Sequence, residues 1–261
     1  MHKIPNILEW KVSEIIIDLE DAVKHSERAE IITQLISGDS YKDYYIRVPL
    51  YNERAILDTN FFRQLYAHGF RKFVFPKIQK AADFDTFISE GKYTNIKGIL
   101  LVETSRCFLE AKDLLLKYQN LFTGIGLGSH DFMAEVGGVH NLENLAFARL
   151  QIIYLARMVN IKAIDIASME LKDGKAYKDE IIDGFNKGYD AKFFIHPWQI
   201  NLFQSISLYE EDEWKWALKV NKAIAEAGSA EEFSPIVIDG QIIERPHLAK
   251  AEKIIKYYVS K

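Results

Sequence analysis

Short apolar, β-branched or aromatic runs recur along the chain, beginning near Ile15, Tyr44, Phe73, Ile99, Phe122, Ala163 and Phe193. Most are spaced by the roughly 30 residues that one parallel strand and its return helix occupy. Between them, apolar positions return every three to four residues over 25–36, 57–68, 81–89, 108–118, 142–159 and 177–187, which predicts amphipathic helices. Strands that alternate with helices predict a parallel sheet covered by helices. Seven strands are visible and residues 2–7 offer an eighth, so the expected fold is α/β, a (β/α)8 TIM barrel. An open doubly wound sheet is the alternative, because closure is not written in a sequence.

The rhythm changes after Pro197. Residues 210–227 form an amphipathic pattern carrying Trp214, Trp216, Leu218, Val220 and Ile224, and 228–235 reads as a loop. Asp239-Gly240 suits a tight hairpin turn between arms 236–238 and 241–243, and a last helix is predicted over 247–259. The expected organisation is a barrel over 1–205, with its N-terminal unit shortened, and a helical and hairpin extension over 206–261 that caps its own barrel or packs on a neighbouring subunit. The chain has 261 residues, a length that α/β barrels use as one folding unit.

Acids and bases are interspersed and the formal net charge is −4, which disfavours a polyanionic partner such as nucleic acid. The single cysteine, Cys107, excludes an internal disulfide and fits a reducing compartment. Residues 1–10 lack the basic start and apolar segment of a secretory leader, and no run approaches the ~18 apolar residues of a membrane span. A cytoplasmic protein that acts on small molecules, with no membrane partner, is expected.

The chemistry clusters where strands end. Asp18-Leu19-Glu20-Asp21, Arg47, Glu103 and Asp131 each follow an apolar run, and in a parallel barrel the C-terminal strand ends share one mouth. Glu103 and Asp131 together suit Mg2+, an ion that takes oxygen ligands and keeps part of its water shell; a pair of helix caps or surface ion pairs is the bland alternative. Arg47 presents a planar fork suited to a substrate carboxylate, or equally to a salt bridge with Asp18, Glu20 or Asp21. The acidic turn is expected to hold Arg47 or a metal-bound water more than to transfer protons, and Asp21 also suits a helix start. Gly124, Gly126 and Gly128 lack the context of a dinucleotide-binding turn, because Asp131 intervenes at once. Lys77 and His196 also end strands; a Schiff-base role for Lys77 is disfavoured by the carboxylate pair, and both are read as supporting residues.

Taken in order, Ile17-Asp18-Leu19-Glu20-Asp21-Ala22-Val23, Arg47-Val48, Pro76-Lys77, Val102-Glu103-Thr104, Gly128-Ser129-His130-Asp131-Phe132, Ile195-His196-Pro197-Trp198-Gln199-Ile200 and the tail from Asp239 to His247 resemble the citrate lyase beta subunit-like branch of the HpcH/HpaI aldolase/citrate lyase family. The resemblance implies a (β/α)8 barrel, assembled as a homo-oligomer (trimer or hexamer), with Mg2+, or Mn2+ in its place, on Glu103 and Asp131. It also implies Arg47 on the substrate carboxylate, Gly128 and Ser129 as substrate-binding positions, and Glu20, Asp21 and Arg47 in catalysis. The reaction implied is a metal-dependent carbon-carbon cleavage or condensation between an acyl (thioester) enolate, often on coenzyme A, and a keto acid; a hydroxy acid is the other small-molecule partner. Asp21 stands where the metal-only pyruvate aldolases carry a histidine.

Two departures stand out. Thirteen positions separate Pro5 from Asp18, fewer than the family's opening loop and helix need, which leaves coenzyme A binding open. Glu244 occupies a tail position where the malyl-thioester lyases carry a catalytic aspartate that enters a neighbour's site, and a longer side chain there still delivers a carboxylate. Two alternatives remain at this stage: an Mg2+-dependent pyruvate-type aldolase acting on free hydroxy-keto acids, and a non-catalytic metal- or ligand-binding barrel.

Overall fold

The computed structural model describes residues 12–52, 54–91, 93–227 and 234–259. The chain divides into two compact units, Met1–Gln204 and Ser205–Lys261.

In the first unit the elements alternate as the sequence predicts: β1 (Ile16–Asp18), α1 (His25–Ile36), β2 (Tyr45–Arg47), α2 (Asn60–Ala67), β3 (Lys72–Phe75), α3 (Ala81–Gly91), β4 (Lys97–Val102), α4 (Ser105–Lys117), β5 (Phe122–Leu127), α5 (Ser129–Val136), α6 (Leu142–Met158), β6 (Lys162–Asp165), α7 (Gly174–Lys187), β7 (Ala191–Lys192) and α8 (Pro197–Ser205). The seven strands pair in parallel in chain order, β1 to β7. Strand side chains alternate between faces. Ile46, Phe73, Phe75, Leu100, Ile125 and Ala163 meet the covering helices in one core, and Tyr45, Val74, Ile99, Leu101 and Ile164 form a second cluster on the other face.

That second face is concave. Tyr45 on β2 hydrogen-bonds through its hydroxyl to Thr123 Oγ1 on β5 at 3.0 Å. Two strands lie between them, and strands in a flat sheet sit about 4.8 Å apart, so a side chain crosses that gap only if the sheet curls. Ile16 of β1 and Phe193, just beyond β7, pack against the same inner cluster. The fold is therefore α/β, with a curled seven-stranded parallel sheet and helices on its convex face. The predicted eighth strand, residues 2–7, lies outside the described residues.

Three expectations need correcting. The last strand is Ala191–Lys192 and ends before Phe193, where the apolar run predicts it to begin; pairing with β6 stops at Asp165↔Lys192, after which the Phe193 ring turns inward. The glycine-rich stretch is followed by a short helix, α5, that its periodicity did not announce. Residues 197–205 are helical as well, opened by Pro197 at a position where its missing N–H is harmless.

On the convex side, the Arg149 guanidinium is fully buried between α6, β6 and α7. It donates to both Asp165 oxygens at 3.0 and 2.9 Å and to Asp183 at 2.5 Å. Lys192 donates to Glu180 at 2.6 Å and to the Ile166 carbonyl at 2.8 Å. These pairs fasten helices to the sheet and leave its concave face to other chemistry.

The second unit contains α9 (Glu211–Ala227), a hairpin of β8 (Ile236–Ile238) and β9 (Gln241–Ile243), and α10 (Arg245–Val259). Asp239 and Gly240 both take positive φ, 51° and 78°, the backbone shape that a two-residue hairpin turn demands. Ala217 and Val220 of α9 and Leu248, Ala251 and Ile254 of α10 are buried, and Trp214 lies against Tyr258 with ring centroids 4.7 Å apart. Among the described residues no helix is long and apolar enough to cross a membrane.

Candidate active site

Strand parity decides which side chains reach the concave mouth. Asp18 and Arg47 close β1 and β2 in paired register, with parity matching the inward Ile16 and Tyr45. Glu103 follows β4 two residues after the inward Leu101. Gly128 sits beyond β5, its N–H on the Val102 carbonyl at 2.8 Å. Residues distant in sequence thus converge at the C-terminal ends of neighbouring strands, where parallel α/β folds place their chemistry.

Arg47 is the hub. Its Nε and Nη2 donate to the two oxygens of Asp18 at 2.7 and 2.5 Å, a bidentate pair. Asp18 is itself held by the N–H groups of Glu20 and Ala22, at 2.9 and 3.1 Å. Nη2 lies 3.2 Å from Asp21, while Nη1 stands 3.6 Å from both Glu20 and Glu103. The last two separations are too long for good hydrogen bonds, so Nη1 keeps donor capacity directed into the mouth. The salt-bridge and ligand-binding readings of this arginine are compatible, since one edge of the fork serves each.

Lys77 is the second cation. Its Nζ lies 2.8 Å from Glu20, 2.9 Å from Asp21 and 3.3 Å from Asp131, and its backbone N–H donates to Glu103 Oε2 at 2.8 Å. Lys77 therefore touches both carboxylates that the sequence suggests for a metal. Its φ of 48° lies in the left-handed region, a strained conformation for a residue with a Cβ.

Glu103 is only 3 % exposed. Burial pushes its carboxyl up to about 8, against the opposing pull of Arg47. Gly128 explains how so large a group fits: a Cβ there would come within 2.3 Å of Glu103 Cγ. In the acidic turn the two neighbours diverge. Burial raises Glu20, and a hydrogen bond with Asp21 raises it further. Asp21 also feels burial, but its bonds to Lys77 and Glu20 outweigh that and leave it lowered. The two neighbouring acids are thus pushed in opposite directions, Glu20 up and Asp21 down.

Ser129, buried at the first turn of α5, shares a 2.9 Å hydrogen bond with His140 Nε2, whose ring stacks on His130 at 3.9 Å between centroids. Asp131 lies in the same turn of α5, half exposed. Glu244 belongs to the second unit, where its N–H donates to His247 Nδ1 at 2.9 Å as α10 begins. His196 accepts the Trp198 N–H at 3.1 Å and caps α8.

The donor set fits a hard divalent cation. Five carboxylates (Asp18, Glu20, Asp21, Glu103 and Asp131) face two side-chain cations, Arg47 and Lys77, and Glu20 Oε2 is buried with no hydrogen-bond partner. Among the described residues no three His, Cys, Asp or Glu side chains converge to hold an ion unaided.

A model of the HpcH/HpaI aldolase/citrate lyase family matches residues 9–197. The chain belongs to that family. It is an enzyme of the aldolase and carbon-carbon lyase class, as the resemblance of its motifs implied. Similar proteins include a (3S)-malyl-CoA thioesterase of Cereibacter sphaeroides, 28% identical over 94% of this chain and 89% of its own, and citrate lyase subunit beta of Haemophilus influenzae, 24% identical over 97% and 91%. Among solved structures, CitE of Mycobacterium tuberculosis, in complex with magnesium, acetoacetate and coenzyme A, superimposes with a TM-score of 0.80 at 20% identity, covering 98% of this chain and 92% of that one. This last likeness supports the fold.

Of the residues that the sequence suggests, Arg47, Glu20, Asp21, Glu103 and Asp131 share ion pairs, Gly128 lies against Glu103, Ser129 pairs with His140, and Glu244 belongs to the second unit. Lys77 was underrated as a supporting residue, because its three acidic partners lie at positions 20, 21 and 131 and no local pattern announces them.

Proposed function

We propose that this chain is a Mg2+-dependent carbon-carbon lyase of the citrate lyase beta type, which cleaves or forms a bond between an acyl-thioester enolate and a keto acid. The observation that carries the reading is the convergence of Arg47, Glu103 and Asp131 around Lys77 at neighbouring strand ends. Glu103 and Asp131 would hold the ion, which when bound stabilises negative charge on a keto or enolate oxygen. Arg47 Nη1 binds a substrate carboxylate while Asp18 fixes the guanidinium plane. Glu20, whose acidity burial weakens, supplies or takes a proton, with Asp21 beside it. Glu244 brings a further carboxylate if a neighbouring tail reaches the mouth. Gly128 and Ser129 present the backbone start of α5 to substrate oxygens.

Closure of the curled sheet into a (β/α)8 barrel by residues 2–7, assembly as a trimer or hexamer, action in the cytoplasm and use of a coenzyme A thioester complete the proposal. The (3S)-malyl-CoA thioesterase relative favours a second reading, hydrolysis of the thioester. One experiment addresses both: incubate the protein with malyl-, citramalyl- and citryl-coenzyme A, with free hydroxy-keto acids alongside, and quantify keto acid and free thiol separately, with and without EDTA. Keto acid without thiol supports the lyase and thiol without keto acid the thioesterase, while turnover of free acids alone indicates the pyruvate-type aldolase. Full activity after exhaustive chelation would refute the metal-dependent proposal, and turnover of none of the panel would favour a binding barrel.

A further inference from the structure

Lys77 and a divalent cation bid for the same carboxylate. The ammonium lies 3.3 Å from Asp131 Oδ2, and its closer partners, Glu20 at 2.8 Å and Asp21 at 2.9 Å, would keep it beside the site after that contact broke. Its main chain is fixed independently, by the Glu103 bond at 2.8 Å and by the left-handed turn after Pro76. The Asp131 contact is the longest of the three, and both of its side chains reach solvent, with exposures of 36% for Lys77 and 46% for Asp131. Such pairs are weak, so an ion of double charge can displace the ammonium, at a cost to its own affinity.

We infer that Lys77 is a built-in competitor of the divalent cation: it occupies one edge of Asp131, yields it when the ion binds, and thereby sets the metal affinity of the site. This rests on the reading of Glu103 and Asp131 as the protein ligands. A merely structural lysine would act in the opposite direction, since holding Glu20, Asp21 and Asp131 together would organise the site and strengthen metal binding. The sign of the effect separates the two roles.

The test is calorimetric titration of Mg2+ into the full-length protein after chelator treatment and dialysis, comparing wild type with Lys77→Met. Removing the competitor and its repulsion tightens Mg2+ binding by about tenfold. Equal or weaker binding by a variant whose circular dichroism matches wild type would overturn the inference. A second measurement needs no variant: acetic anhydride labelling of wild type, read by peptide mass spectrometry. Mg2+ should increase labelling of Lys77, because the side chain released from Asp131 is more open to the reagent; protection or no change would count against competition. If wild type and Lys77→Met alike take up no Mg2+, the metal reading itself has failed, and the competitor role falls with it.

Discussion

Glu103→Gln should make this protein more stable and abolish the Mg2+ binding proposed for it. A free glutamate titrates near 4.5, whereas burial holds Glu103 up to about 8 in the folded chain. Between those values the unfolded chain releases the proton and the folded chain keeps it, so this carboxyl lowers stability as pH rises from 4.5 towards 8. Each unit corresponds to about 1.4 kcal/mol, which places the penalty at roughly 3–4 kcal/mol by pH 7.5. A glutamine of the same shape still accepts the Lys77 N–H and carries no charge. In urea denaturation with EDTA, variant and wild type should have matching stabilities near pH 4.5 and separate by that amount at pH 7.5, the variant being the more stable. Saturating Mg2+ should then raise the wild type and leave the variant where it was. A difference that stays constant with pH, or a wild type that gains on the variant as pH rises, would refute the argument that ionising Glu103 strains the fold.

Arg47→Lys keeps the charge but loses the bidentate grip on Asp18 and the free Nη1, and kcat/KM at saturating Mg2+ should fall about a hundredfold or more; a loss below threefold would remove Arg47 from substrate binding. Gly128→Ala drives a methyl group into Glu103, so denaturation should show a loss of about 1–3 kcal/mol and calorimetry a weaker Mg2+ site. Arg149→Met strands Asp165, which is 2% exposed, and should destabilise the fold by about 3–5 kcal/mol with unchanged Mg2+ affinity, since this network lies on the convex side of the sheet. Asp131→Asn should weaken Mg2+ binding in the same calorimetric titration; unchanged affinity would remove Asp131 from the site.

The order of strands and helices was legible because it rests on local signals. Helix α1 and the hairpin arms match the spans read from periodicity and from the Asp239-Gly240 turn, and Cys107 is a buried thiol, pushed up to about 12 by burial. Departures came where tertiary context decides. Strand β7 is two residues long because its partner β6 ends at Asp165, a fact about another segment. Helix α5 is eight residues long and follows a glycine, so periodicity had little to register. Helix α8 did carry a readable signal, Pro197 behind a capping His196. The candidate site follows the same division. That acids and an arginine end strands could be read from the sequence, and so could an Asp18–Arg47 pair. That Lys77 joins positions 20, 21, 103 and 131 could not, because it depends on the curl that brings the mouths of β1, β3, β4 and β5 together.

That curl also accounts for the electrostatics. A flat sheet would spread Asp18, Glu20, Asp21, Glu103 and Asp131 along one edge, each solvated. Gathered at the mouth, they are met by three unequal devices: Arg47 locked on Asp18, a carboxyl on Glu103 that burial pushes up to about 8, and Lys77 spread over three acids. The first is a bidentate bond within a half-buried pair and stays in place. The other two are reversible at neutral pH, because Glu103 titrates near 8 and the Lys77–Asp131 contact is long and wet. A divalent cation arriving at Glu103 and Asp131 would expel a proton from the first and an ammonium from the second, so metal uptake should release close to half a proton or more from Glu103 at pH 7.5. Calorimetric titrations of Mg2+ in buffers of different ionisation enthalpy measure that release directly. A count that does not fall towards zero above pH 9 would mean that the proton comes from a group other than Glu103.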